Sequence, residues 1–253
     1  MHAEVILLKL TDKYCNDESA GGIVRLYHGN PDSCFEPVYG GGRDYHDYGN
    51  AFYCTRNFED AAEWACLRKT IDTAYVYEYE FHIPKDIMPK VEILDFDDLD
   101  TVYWLSALLQ HRVDEDYRAE LYDRSMAFVE KFPTNCDKYD IIYGWRANDR
   151  HFAIIRDFLN TLISLETAKK AIMYGNLGKQ FVVKSERAYS WLNDVNKPVN
   201  KTVLSGAEYK SWHNGYIDKD TKGRADYDDI AAEARKLARE RDYRGTTILD
   251  LLR

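Results

Sequence analysis

Alternation of apolar and polar positions is clearest over AYVYEYEFHI, residues 74–83. Tyr75, Tyr77, Tyr79 and Phe81 share one face there and the acids Glu78 and Glu80 fall on the other, which predicts a strand. IVRLYHG at 23–29 predicts another, with His28 at its exit, and AFYCT (51–55), VEILDF (91–96), KYDIIYGW (138–145) and QFVVKS (180–185) predict shorter ones. Helical spacing appears over 56–70, where Asn57 is a cap and Ala61, Trp64, Ala65 and Leu67 form the apolar positions. It recurs over 98–112 and 115–132, over 150–164 and 165–175, which a capping signal at Ser164 divides, and briefly over 186–192. Strands and helices mix without a regular βαβ repeat, which favours an α+β fold over a doubly wound sheet.

The connecting segments carry information too. A first apolar run, Val5 to Leu10, leads into a polar loop over 12–22 that ends in a glycine pair. Residues 31–50, PDSCFEPVYGGGRDYHDYGN, are too rich in glycine and proline for regular structure, and a loop of that length inside a domain usually serves function. Beyond residue 195 the composition turns to Asn, Lys, Gly and Asp; a helix with acids first and bases last follows over 226–243. Residues 1–195 therefore read as one domain and 196–253 as a C-terminal extension ending in a helix.

Composition narrows the function. With 253 residues the chain suits one large domain or one domain plus an appendage, and 20 tyrosines supply rings with a polar tip that suit a cleft. A net charge of −9, from 43 acids and 34 bases, gives no global field for a phosphate backbone and leaves only a local basic groove. No apolar run is long enough to span a membrane, and the start, MHAEVILLKL, lacks the basic head and cleavage site of a signal peptide, so a cytoplasmic protein without membrane contact is expected. Cys15, Cys34, Cys54, Cys66 and Cys136 are odd in number and without a CxxC pair, which points to free thiols and to no metal site.

Four pieces then line up in order: LYHG at 26–29, DYGNAFYCT at 47–55, YDIIYGWRAND at 139–149, and Gln180 with Phe181. Together they resemble the ADP-ribosyltransferase superfamily, in the branch of poly(ADP-ribose) polymerases and diphtheria toxin whose triad is His, Tyr and an acid or amide. The resemblance is closest to a bacterial, toxin-like family with the pattern LYHG, DYGxxFYxT and YDIxxG, and it covers roughly residues 22–195. The WA pair within Ala62 to Ala65 and the helix from Trp104 to Arg112 fall where that family has similar features.

The resemblance implies split mixed β-sheets flanked by helices and NAD as co-substrate, a donor of ADP-ribose. No GxGxxG follows a strand, so hydride transfer lacks its phosphate-cradling turn. By the same resemblance His28, Tyr53 and Gln180 are the catalytic trio. His28 would bond a hydroxyl of the adenosine-side ribose and the backbone of Gly29 would meet the nicotinamide carboxamide. Tyr53 would stack on the ring, with Tyr48 and Tyr45 covering its other face, and Gln180 would hold the nicotinamide-side ribose where relatives place a glutamate. An amide offers a dipole where an acid offers a charge, so it stabilises a developing cation less; Glu186 is the fallback carboxylate. Asp47 would order the glycine-rich loop through its own backbone, or touch the dinucleotide, and Asn148 with Asp149 would cap the next helix. The implied activity is mono-ADP-ribosyl transfer to a protein, nucleic acid or small-molecule acceptor, by a toxin of a toxin–antitoxin or defence system with an antitoxin as partner. The alternatives are an NAD glycohydrolase and a catalytically inactive partner-binding module.

Overall fold

The computed structural model describes residues 23–84, 86–87, 90–112, 119–172, 177–192, 197–239 and 245–253. The apolar run at Val5 to Leu10, the loop after it and Cys15 lie outside these residues. Seven strands and eight α-helices are present among the described residues, which makes the fold α+β.

One sheet contains β1 (Ile23–Asn30), β3 (Thr73–His82) and β7 (Asn200–Ser205), in the order β1-β3-β7 and antiparallel throughout. The other has the order β2-β6-β5-β4, from β2 (Phe52–Cys54), β4 (Ile93–Asp95), β5 (Ile141–Trp145) and β6 (Lys179–Val183); only β4 and β5 run parallel. The alternation in β3 works on both sides. Tyr77, Tyr79 and Phe81 pack between the sheets with Phe52, Phe181 and Val183, while Ala74 and Val76 face Ala61, Ala65, Leu204 and Tyr209. The far face of the second sheet, Ile142 and Val182, is covered by the largest apolar cluster, around Trp104, Leu108, Ile154 and Phe158.

Helix starts follow the local chemistry. Asn57 accepts from the backbone N–H groups of Glu59 and Asp60 and opens α1 (Phe58–Ala65). After α2 (Thr101–Arg112) and α3 (Ala119–Lys131), Asn148 caps α4 (Asp149–Leu159) in a reciprocal box with His151. Ser164 accepts from Thr167 N–H at 3.2 Å just ahead of α5 (Leu165–Ile172). A short α6 (Glu186–Tyr189) follows β6.

The C-terminal segment holds more structure than its composition suggests. Residues 200–205 form β7, and a single long helix, α7 (Gly206–Arg239), begins directly after it, twenty residues ahead of the helix expected at 226. Leu204 alone of the six β7 residues is buried, so no alternation marks the strand. The early half of α7 contains Gly215 and Gly223, yet tertiary contacts hold it: Tyr209 donates to Arg68 C=O at 2.7 Å, His213 Nδ1 to Cys66 C=O at 2.7 Å, and Lys219 pairs with Glu63 at 2.5 Å. A last helix, α8 (Ile248–Leu252), starts at a Thr247–Asp250 capping box.

Candidate functional site: the gap where the two sheets part

Beside the packed faces, the edges of the two sheets are joined where Tyr27 of β1 and Thr55, just after β2, exchange backbone hydrogen bonds of 2.8 and 2.9 Å. An antiparallel ladder continued from there would set Gly29 opposite Tyr53. Instead the His28 side chain enters, and its Nδ1 takes the Tyr53 carbonyl at 2.7 Å. The strands separate, and a cleft of about 740 Å³ opens between them. A narrow chamber of about 30 Å³ lies alongside, and His28, Gly29, Tyr53, Trp64 and Gln180 line both. The expected trio thus comes from β1, β2 and β6 to one throat.

A carbonyl only accepts, so the proton of His28 sits on Nδ1 and Nε2 is left as an acceptor. Asn30 Nδ2 donates to that Nε2 at 3.3 Å, and the ring stacks on Phe35 at 4.5 Å. Burial lowers the pKa to about 4, which keeps the imidazole neutral at pH 7. The Tyr53 hydroxyl donates to Gly49 C=O at 2.7 Å and accepts from Tyr48 N–H at 3.0 Å, so it ties the 31–50 loop to β2. Burial pushes its pKa up, so at neutral pH Tyr53 is a tether and not a base.

Gln180, 4% exposed, donates from Nε2 to Asp47 Oδ2 at 2.9 Å, and its Oε1 is buried without a partner. Asp47 does not fold its loop through its own backbone as expected. It accepts from Arg112 at 2.6 Å, from Ala147 N–H at 3.0 Å and from Gln180, anchoring the loop to three other segments.

Tyr48 departs from the expectation that it covers a bound ring. It is fully buried, donates to Trp145 C=O at 2.7 Å and accepts from Trp104 Nε1 at 2.8 Å. Tyr45 stays on the cleft rim, 60% exposed. Gly29 lines the cleft, but its lack of a side chain serves packing: a Cβ there would stand 2.0 Å from Ala61 C=O in α1. Its backbone N–H and C=O point as those of Tyr27 do, toward the second sheet, because strand neighbours repeat every two residues. Glu186 is exposed and lines a different hollow with Tyr39 and Tyr189, away from the trio.

Sequence reasoning missed several cleft residues. Trp64 was expected with the apolar positions of α1, yet it is 38% exposed and forms part of the throat wall, with the Arg146 guanidinium 4.2 Å over its ring. Arg146 is buried, its Nη1 has no hydrogen-bond partner, and burial lowers its pKa. Arg43, Arg68 and Arg112 also line the cleft against the carboxylates Glu36 and Asp47, and Asp47 is already engaged by Arg112. The cleft is therefore locally cationic within an acidic chain.

A family model described as "Protein of unknown function (DUF3990)" matches residues 24–193. The chain belongs to that family. No curated protein and no solved structure matches it. The DUF3990 segment runs from the second residue of β1 through β6 and includes every residue of the throat, while β7, α7 and α8 lie beyond its end. Among the described residues no cluster of His, Cys, Asp and Glu has a metal-holding arrangement, Cys34, Cys54, Cys66 and Cys136 are free thiols, and no helix is long and apolar enough to cross a membrane.

The throat offers donors, acceptors and aromatic faces, with no activated nucleophile among them. Such a lining can hold and orient a small polar or aromatic molecule.

Proposed function

We propose that this protein cleaves NAD between nicotinamide and ribose and transfers the ADP-ribose to an acceptor. One observation carries the reading: His28, Gly29, Tyr53 and Gln180, from three strands of two separate sheets, converge on one throat. The split-sheet architecture and the resemblance of the LYHG, DYGNAFYCT and Gln-Phe segments to ADP-ribosyltransferases support it.

In this reading the pyridinium ring enters between Tyr53 and Trp64, a pairing worth about 0.5–2 kcal/mol. The Gly29 N–H and C=O meet its carboxamide. The neutral His28 Nε2 accepts from a hydroxyl of the adenosine-side ribose, which takes the place of the Asn30 amide, and the unpaired Gln180 Oε1 accepts from the nicotinamide-side ribose. Arg43 and Arg68 lie where a pyrophosphate is favoured electrostatically. The C–N bond breaks with its electron pair leaving on nicotinamide; the anomeric carbon becomes cationic, as in glycoside hydrolysis, and the acceptor adds there and loses a proton.

The test is incubation of the purified protein with NAD labelled in the adenosine half. Release of nicotinamide with label on a protein or nucleic acid supports transfer, free ADP-ribose shows hydrolysis, and no release rejects the reading. The pH dependence is a second check. Cleavage holds nearly level from neutral pH until the pH approaches 4, where Nε2 gains a proton and stops accepting. The same histidine is neutral when folded and takes up a proton near its ordinary value of 6.5 when unfolded, so stability falls as the pH drops from 6.5 toward 4. Denaturation by urea across that range separates the two effects.

A further inference from the structure

We propose that Asp47 is the positioning residue that sets which end of the Gln180 amide faces the cleft, and that its presence is why the site works with an amide at position 180. The mechanistic part rests on the NAD-cleaving reading above; the structural part does not.

Both residues are 4% exposed, and Gln180 Nε2 lies 2.9 Å from Asp47 Oδ2. A carboxylate can only accept, so the amide must present Nε2 to it and Oε1 to the opposite side. Asp47 cannot turn away, because Arg112 holds its Oδ1 at 2.6 Å and Ala147 N–H holds its Oδ2 at 3.0 Å. The outcome is a buried oxygen with no partner on a residue that lines both chamber and cleft. Leaving an acceptor so placed is costly unless a ligand supplies a donor, and a ribose hydroxyl is such a donor.

The substitution Gln180→Glu would set two carboxylates in hydrogen-bond contact. They cannot both ionise easily, so one proton is retained between them to higher pH than usual. While protonated, the introduced carboxyl would donate to Asp47 and show a carbonyl to the cleft, as the amide does. The charged and titratable groups around the pair are Arg112 from α2, His46 and Tyr48 from the loop, Tyr53 from β2, Arg146 after β5 and His28 from β1; burial pushes both phenols up, so they stay neutral across the range. The arginines pull the retained proton off earlier without removing the direct contact.

The experiment uses the full chain as wild type, Gln180→Glu, Asp47→Asn and the double variant. Nicotinamide release from NAD and the urea midpoint are read across a range of about pH 5.5 to 9, a span that brackets such raised carboxyl values. Expected is a Gln180→Glu protein close to wild type at the acid end, losing about tenfold per pH unit above its apparent pKa, because the fixed Asp47 carboxylate repels the ionised side chain out of the position from which its charge could serve the cation. Its urea midpoint falls over the same range relative to wild type. In the double variant the introduced amide donates to the introduced carboxylate, so the pH dependence disappears. Activity at the alkaline end then returns only in part, since Ala147 N–H loses its acceptor. Asp47→Asn alone lets the Gln180 amide turn and lowers kcat more than it raises KM. A Gln180→Glu profile parallel to wild type in both activity and midpoint, or a double variant that keeps the pH dependence of the single one, overturns the proposal. Absence of NAD cleavage by the wild type defeats the functional reading instead, and the urea midpoints still decide the role of Asp47.

Discussion

Tyr53→Ala lowers nicotinamide release from NAD by about 100-fold or more while the two sheets stay folded, a loss that combines missing stacking with misplacement of the reacting bond. Stacking alone accounts for the smaller part. A ring over pyridinium favours the bound ground state, and that charge leaves the ring as the bond breaks, so its loss mainly weakens binding. The larger part comes from position. The Tyr53 hydroxyl holds Gly49 C=O and Tyr48 N–H, and the next residue back is Asp47, which orients Gln180. Without the phenol the loop shifts, and a displacement of about 1 Å at the reacting atoms is enough for a hundredfold loss.

Tyr53→Phe separates the two contributions, because it keeps the face and removes the tether. It is expected to bind NAD nearly as wild type and to lose rate, whereas the alanine variant loses both. His28→Ala opens the throat, frees the Tyr53 carbonyl and removes the Nε2 acceptor, so it follows the alanine variant. Steady-state release of nicotinamide measures each, and near-UV circular dichroism reports whether the aromatic core survives. Alanine variants at 53 and 28 that both stay within a few-fold of wild type would remove the basis for every site residue assigned here.

How much of this was legible in the sequence depended on range. β3 was plain because its period of two spans ten residues, and α1 and α4 because Asn57 and Asn148 cap their own next residues. β7 was invisible because only Leu204 in it is buried. The start of α7 was hidden for a related reason: its stability comes from Tyr209, His213 and Lys219 reaching residues about 140 to 156 positions earlier, a distance no local pattern records. The site divides the same way. His28, Tyr53 and Gln180 stood out through ordered motifs, but Tyr48 was misjudged because Trp104 and Trp145, which bury its hydroxyl, lie 56 and 97 residues away. Trp64 looked like a helix core residue and nothing in the sequence singled out Arg146; only the fold brings the guanidinium over the indole.

Gly29→Ala gives the largest expected loss of stability among single substitutions in the throat. The added Cβ would stand 2.0 Å from Ala61 C=O and 2.8 Å from Ala65 N, both main-chain atoms of α1, so no side-chain rotation relieves the clash. The helix must move away from β1, opening the packing of Ala61 and Ala65 against Ala74 and Val76. Overpacking of a core costs typically about 1–3 kcal/mol, and rigid backbone on the far side places this case at about 3 kcal/mol or above. Trp64 moves with α1, so the chamber widens and cleavage of NAD falls in the molecules that stay folded. Gly40→Ala is the contrast: nothing lies within 4 Å of its Cβ, and only its φ of +72° resists a side chain, at a cost of about 1–2 kcal/mol. Urea midpoints at constant slope rank the two. A Gly29→Ala protein as stable as Gly40→Ala would mean that α1 is not held against β1, and with it would go the wall that Trp64 contributes to the chamber.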